Sequence, residues 1–295
     1  VLSLRGILPP IPTPFKLDES IDFEHLRSNL ERWNEWPLVG YVVGGSNGEA
    51  VALSAEERIE LVAVARESIP ERKLLLAGAG LESTRGTTSL AQKMSAVGAD
   101  AVIVVTPSYY GPRLDQAAFV AHYTRVADES PLPVVLYNVP PYTDLDLPVP
   151  AVAQLAAHPN VIGIKESGGS VAKIAAMVDQ TQDDFQVLAG SAGFLLGALA
   201  VGAVGCVPAT GCIAARSIHE LIEAFDRGDL AAARDLQAGL IEPNIAVTSR
   251  FGVAGLKAAM DLIGLYGGPV RSPLQPLSAE ESAQLEQVLR QASIS

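Results

Sequence analysis

Eight short apolar runs separated by longer amphipathic stretches predict an α/β fold, a (β/α)8 TIM barrel with a C-terminal helical extension. The runs are continuously hydrophobic rather than alternating, which suits strands covered on both faces of a parallel sheet. After about residue 215 the strand-like runs stop and helical periodicity continues alone. The barrel is therefore assigned to residues 1–215 and the helical region packed on it to 216–295, with no flexible linker between them. A doubly wound open sheet is the competing fold. It needs fewer repeats and a phosphate loop at its switch point, and no Walker-A or Rossmann spacing occurs, since "AGAGLEST" lacks the following glycine.

In order, the expected strands are GILPPI (6–11), GYVVGG (40–45), KLLLAGAG (73–80), AVIVVTP (101–107), VVLYNV (134–139), VIGIKE (161–166), QVLAG (186–190) and AVGCVPA (203–209). Helices fill the gaps. Ser54 and Glu57 have capping-box spacing ahead of Ile59, Val62, Ala63 and Arg66. Phe119, Val120, Tyr123 and Val126 repeat at helical spacing within 115–128. Gly98 and Gly202 stand where helices should stop before a new strand. The C-terminal region reads as helices over 221–225, 231–240 and 253–262, and a final one capped by Ser278 and Glu281.

Composition narrows the function. Hydrophobic residues make up 48% of the chain, enough for a sizeable core. A net charge of −12 without any basic block argues against nucleic acid or an anionic membrane as partner. No apolar run is long enough to span a bilayer. Cys206 and Cys212 match no zinc spacing and read as small buried residues. The four histidines, His25, His122, His158 and His219, fall mostly in helices and none at a strand end, so a histidine metal site or a Ser-His-Asp triad has little support. The chain starts on Val1 without a methionine and is read as trimmed, leaving cytoplasmic and mitochondrial-matrix placement both open.

In a TIM barrel the chemistry gathers at the C-terminal ends of the strands. Of six lysines, Lys73 precedes its strand, Lys16 lies in a loop, and Lys93, Lys173 and Lys257 lie in helical segments. Only Lys165 closes an apolar run on its C-terminal side. A buried ammonium is costly unless paired or neutral, and a neutral amine is what Schiff-base chemistry requires. The alternative is an ion pair with Glu49 or Glu166, and strand position alone leaves both open. The same rim gathers Tyr137 at the end of the fifth strand, a Thr-Pro-Ser-Tyr-Tyr segment (106–110) after the fourth, and the turn GGSNGE (44–49) after the second. A phenol can shuttle a proton when a neighbouring hydroxyl relays it, and a Gly-Ser-Asn-Gly turn offers backbone N–H groups to a carboxylate. The SGGS turn (167–170) fits a phosphate cradle or a simple turn equally well.

"GSNGE", "YNVP" and "GIKES", in that order and spacing, resemble the pyruvate-dependent class I aldolase family that includes dihydrodipicolinate synthase and N-acetylneuraminate lyase. The likeness spans essentially the whole chain. Within the family, "GSNGEAVALSAEER", "LLLAGAGLEST", "VLAGSAGF", "LIEPNIAVTSRFG" and "YGGPVRSPLQ" look most like the 4-hydroxy-2-oxoglutarate aldolase branch. That resemblance implies a lyase cleaving 4-hydroxy-2-oxoglutarate to pyruvate and glyoxylate with no cofactor and no metal. It implies Lys165 as the Schiff-base lysine, Tyr137 as the proton shuttle, and Ser46 as relay. Ser46 and Asn47 would hold the keto acid's carboxylate, and Ser167 the distal one. Tyr109 would reach into the neighbouring subunit of a homotetramer built as a dimer of dimers. Tyr142, in "YNVPPYTD", stands where dihydrodipicolinate synthase has the arginine that binds its second substrate's carboxylate. A phenol cannot form that bidentate pair, which weighs against the synthase reaction. The other readings are an aldolase acting on a 2-keto-3-deoxy sugar acid, dihydrodipicolinate synthase-like condensation, and a catalytically silent barrel that binds keto acids.

Overall fold

All eight expected strands form, in a computed structural model that describes residues 2–294. They are β1 Gly6–Ile7, β2 Gly40–Val43, β3 Leu74–Gly78, β4 Ala101–Val105, β5 Val134–Asn138, β6 Val161–Glu166, β7 Gln186–Ala189 and β8 Gly205–Cys206. Every pairing is parallel and runs β1-β8-β7-β6-β5-β4-β3-β2. The gap between β1 and β2 is bridged by Val39 N–H donating to Ile7 carbonyl at 3.1 Å and Ile11 N–H to Val42 carbonyl at 3.0 Å. The fold is the TIM barrel.

Most strands end earlier than their apolar runs. Pro9 and Pro10 lack the N–H a ladder needs, so β1 stops at Ile7. Pro208 sits likewise beyond β8. After β2 and β4 the residues turn into rim loops whose backbone leaves the ladder.

Side chains alternate between two cores. Val42, Leu76, Ala101, Ile103, Val135, Tyr137 and Leu188 point into the barrel, while Tyr41, Val43, Leu75, Ala77, Val102, Val104, Val134, Leu136 and Val187 face the helices. Strand β6 breaks this rhythm. Val161 faces outward, Ile162 inward and Ile164 outward again, and the pairing with β5 slips from Val134↔Val161 to Val135↔Gly163. Ile162 is the residue left unpaired, and Gly163 is where pairing resumes; a methyl group at Gly163 would run into the Gln186 carbonyl. Beyond it, Lys165 pairs with the inward residues Tyr137 and Leu188.

The helices that cover the strands are α1 Phe23–Asn34, α2 Ala55–Ser68, α3 Thr84–Ala96, α4 Gln116–Glu129, a short α5 Pro140–Thr143, α6 Val149–Ala156, α7 Val171–Gln180 and α8 Leu195–Ala200. The Ser54–Glu57 capping box forms as read from the sequence. Gly98 and Gly202 adopt positive φ of 88° and 103° at the expected helix stops. Four more helices follow: α9 Ala215–Asp226, α10 Leu230–Ile245, α11 Gly252–Leu262 and α12 Ala279–Gln291. Between α10 and α11 the chain makes a π-helical turn, Ala246–Arg250, shortly after Pro243 inside the last turn of α10. Asn244 ties this region to the rim, its side-chain oxygen accepting from Ser191 Oγ at 3.0 Å and Thr210 Oγ1 at 3.3 Å. Cys206 and Cys212 are buried and unbridged. Among the described residues no helix is long and apolar enough to cross a membrane.

Candidate active site

The β5–β6 register sets Tyr137 directly beside Lys165 at the C-terminal rim. Lys165 is 5% exposed, and its Nζ lies 4.1 Å from the centroid of the Tyr137 ring. The phenol oxygen in turn lies 3.2 Å from Ser46 Oγ, within hydrogen-bond distance. Amine, phenol and hydroxyl thus form one line across the rim, drawn from β6, β5 and the turn after β2.

The ion-pair alternative for Lys165 is not realised. Both candidate carboxylates are occupied by other lysines. Glu49 Oε1 lies 2.5 Å from Lys257 Nζ, and Glu166 Oε2 lies 3.2 Å from Lys173 Nζ. Glu166 also accepts from Asn138 Nδ2 at 2.8 Å and from Gly168 N–H at 2.5 Å. Lys173 bridges onward to Asp146. Among the described residues Lys165 therefore has no carboxylate partner, and it is buried against an aromatic face.

The turn after β2 is a tight 3-10 turn, Ser46–Gly48, entered at Gly44 with φ 69° and left at Glu49 with φ 54°. A left-handed glycine is free of the Cβ clash that Glu49 carries. Thr13 Oγ1 donates to the Gly48 carbonyl at 2.7 Å, fixing the turn from below.

Two cavities meet at Lys165 and Tyr137, which line both. The larger, about 420 Å³, is faced by Asn47, Tyr142, Ser167, Ser191, Thr248 and Ser249. The smaller, about 60 Å³, is faced by Ser46 and Arg58. Ser167 Oγ is buried and has no hydrogen-bond partner among the described residues. Any side chain at Gly190 would collide with it. Arg58 is buried with backbone carbonyls as its partners, Ala50 and Gly80, at 3.0 and 3.1 Å. Among the described residues no group of three or more His, Cys, Asp or Glu side chains is placed to hold a metal ion.

Tyr109 is the expected site residue that the single chain does not bring in. It is 79% exposed, packs edge-on against Tyr110 at 5.1 Å, and lines neither cavity. Its loop is held by Glu82, whose carboxylate accepts the N–H groups of Ser108 and Tyr109 at 3.0 and 2.9 Å. Tyr142 does line the larger cavity while remaining 61% exposed. Sequence reasoning missed Ser191, Thr248, Ser249 and Arg58. None was singled out as a site residue, although all four lie in stretches that carry the family resemblance: Ser191 in VLAGSAGF, Thr248 and Ser249 in LIEPNIAVTSRFG, and Arg58 in GSNGEAVALSAEER.

Comparison with known proteins identifies the family. The family model described as Dihydrodipicolinate synthetase family matches residues 3–292. A 4-hydroxy-tetrahydrodipicolinate synthase of Methanoculleus marisnigri is 36% identical over 288 residues, covering 97% of this chain and 98% of that protein. The crystal structure of a dihydrodipicolinate synthase from Bacillus anthracis has a TM-score of 0.95 at 32% identity, covering 98% of this chain and 99% of that one. A prophage protein of the dihydrodipicolinic acid synthase family from E. coli K12, solved in complex with pyruvate, has a TM-score of 0.92 at 31% identity, with 99% of each chain covered. The family resemblance read from the motifs holds. Its finer branch does not gain the same support, because these relatives carry the synthase name and not that of 4-hydroxy-2-oxoglutarate aldolase.

Proposed function

The chain belongs to the dihydrodipicolinate synthetase family, and on that premise we propose that it makes or breaks a carbon–carbon bond between pyruvate and an aldehyde through a Schiff base on Lys165. The observation that carries this reading is the isolation of Lys165. It is a buried amine at a strand end with no carboxylate partner among the described residues, 4.1 Å from the ring of a tyrosine whose hydroxyl meets a serine. The amine attacks the C2 ketone, water leaves, and the iminium becomes an electron sink for the adjacent carbon. Tyr137 carries the proton on or off the aldehyde-derived oxygen as the bond breaks or forms, with Ser46 passing it onward. Ser46 and Asn47 hold the pyruvate carboxylate on their turn. Tyr109 completes the relay from a neighbouring copy, which makes the working unit at least a dimer and, on the family resemblance, a tetramer.

For the aldehyde, the relatives' names favour condensation over cleavage of 4-hydroxy-2-oxoglutarate. A 4-hydroxy-tetrahydrodipicolinate product, less its three pyruvate carbons, leaves a four-carbon α-amino acid aldehyde as the second substrate. One feature keeps the second reading, 4-hydroxy-2-oxoglutarate cleaved to pyruvate and glyoxylate. Tyr142 lines the larger cavity where the resemblance expects an arginine, and the lining carries hydroxyls and an amide but no guanidinium. Ser167, with its unpartnered Oγ, is then the group for the distal carboxylate.

Borohydride reduction in the presence of pyruvate, followed by peptide mass mapping, tests the common step: an adduct on Lys165 is expected, and its absence rejects the Schiff-base reading. Pyruvate consumption with the amino-acid aldehyde, set beside pyruvate release from 4-hydroxy-2-oxoglutarate and from a 2-keto-3-deoxy sugar acid, then assigns the aldehyde.

A further inference from the structure

We propose that Lys257, through its buried pair with Glu49, is a positioning residue for the pyruvate-carboxylate turn, so that the C-terminal helical region completes the active site. The inference rests on the Schiff-base reading above and adds a residue that touches no substrate. Glu49 is the residue by which the chain leaves the Ser46–Gly48 turn, and its N–H donates to the Ser46 carbonyl at 3.1 Å. It holds a left-handed φ of 54° without being glycine, a conformation that persists where surrounding contacts over-determine it.

Those contacts come from the far end of the chain. Lys257 Nζ stands 2.5 Å from Glu49 Oε1, with both side chains 1% exposed, and the Arg271 N–H donates to Glu49 Oε2 at 2.8 Å. Lys257 also donates to the Pro269 carbonyl at 2.7 Å and lies 4.4 Å from the centroid of the Phe15 ring. The Arg271 guanidinium covers the same ring at 4.4 Å, pairs with Glu57 at 2.8 Å and donates to the Ala52 carbonyl at 2.8 Å. The segment that follows the turn is therefore clamped between residues 257 and 271, while Thr13 holds Gly48 from the barrel side.

A fully buried ion pair is a poor source of stability, because desolvation offsets most of its attraction. Its use here is geometric. It fixes the residue three places after Ser46, whose Oγ must stay 3.2 Å from the Tyr137 hydroxyl. A shift of about 1 Å in such a group costs about a hundredfold in rate.

The test uses Glu49→Gln, which is isosteric and keeps an acceptor for Arg271, and the double variant Glu49→Gln/Lys257→Met, which leaves no buried charge unpaired and is expected to fold. Melting temperature, oligomeric state, Lys165 trapping and the dependence of trapping on pyruvate concentration are compared with the unaltered protein. The expected result is retained trapping at saturating pyruvate, half-saturating pyruvate raised at least about tenfold, and turnover reduced about a hundredfold, the scale of a misplaced group. Half-saturation and turnover both within about twofold of the unaltered protein overturn the proposal, whatever the melting temperature does. Loss of trapping in both variants at saturating pyruvate, with the fold intact, also overturns it, since the pair would then serve the amine rather than the turn. Failure of the unaltered protein to trap rejects instead the Schiff-base reading on which it stands.

Discussion

Removing the Tyr137 hydroxyl separates a proton relay from an ordinary hydrogen bond. In Tyr137→Phe the ring remains over Lys165, so the amine keeps its apolar cover at 4.1 Å and the pyruvate imine still forms. What is lost is the phenol, whose one hydrogen-bond partner among the described residues is Ser46 Oγ at 3.2 Å. As a general acid–base group it contributes about 10² to 10⁴ in rate, or about 2.7–5.4 kcal/mol of barrier. Ser46→Ala removes the same contact from the other side. If Ser46 only donates a neutral hydrogen bond, the cost is about 1 kcal/mol, roughly fivefold. If it relays the proton, the loss approaches that of Tyr137→Phe, and the double variant is no worse than the phenylalanine variant alone, because the two act as a unit. Independent roles would instead multiply. The assay is single-turnover carbon–carbon bond chemistry on enzyme preloaded with pyruvate as the unreduced imine, with borohydride capture of a parallel sample confirming that the imine is present in each variant. Turnover of Tyr137→Phe within tenfold of the unaltered enzyme would refute the shuttle assignment. A Ser46→Ala loss of only fivefold that multiplies with Tyr137→Phe would refute the relay.

Two further outcomes follow from buried groups away from the reacting atoms. Lys173→Met leaves Glu166, which is 0% exposed, with two amide donors and no counter-charge. The expected loss is about 3 kcal/mol, or a fall of about 6–12 °C in melting temperature by scanning calorimetry, and a fall under 2 °C would show that water or Asn138 suffices. His122 is 7% exposed, and burial pushes its pKa down to about 4. Between about pH 6.5 and 4 the unfolded histidine takes up a proton that the folded one refuses. Stability from this group is therefore complete above about pH 6.5 and is lost as pH falls toward 4, by about 3 kcal/mol in all. His122→Gln should flatten that part of the denaturation-versus-pH curve, and an unchanged slope would refute the assignment.

The barrel was legible because its strands are buried on both faces, so each reads as an uninterrupted apolar run, and because punctuation such as Gly98, Gly202 and the Ser54–Glu57 box marks the helix ends locally. The same property hid where strands stop, since an apolar run does not say whether its backbone is still paired. Lys165, Tyr137, Ser46 and Asn47 were accessible by the rule that rim residues follow strand ends, and Ser167 was named through the family resemblance; all five line the two cavities. Thr248 and Ser249 were not, because a π-helical turn reaches the cavity from 80 residues further along the chain and nothing local announces which face it presents. Nor could spacing reveal that Glu49 and Glu166 belong to Lys257 and Lys173. That partition is a matter of which helix packs over which strand end, and it removes the ion-pair alternative that strand position left open for Lys165.

Strand β6 carries a further consequence. Counting inward from Ile162 in strict alternation would turn Ile164 toward the barrel axis and Lys165 out among the helices. The single irregular step at Gly163 reverses that parity, so the amine faces the tyrosine because of a backbone irregularity at the opposite end of its own strand. The Lys165–Tyr137 pair is accordingly specified by ladder counting, and the hydroxyls lining the larger cavity by loops and a helical turn. Loops of this kind can exchange residues, lengthen or shorten without disturbing the distance between amine and phenol. A barrel wired in this way sets its amine and phenol by strand register, and the glycine at the β6 slip, which lines neither rim cavity, cannot take a side chain without meeting the Gln186 carbonyl.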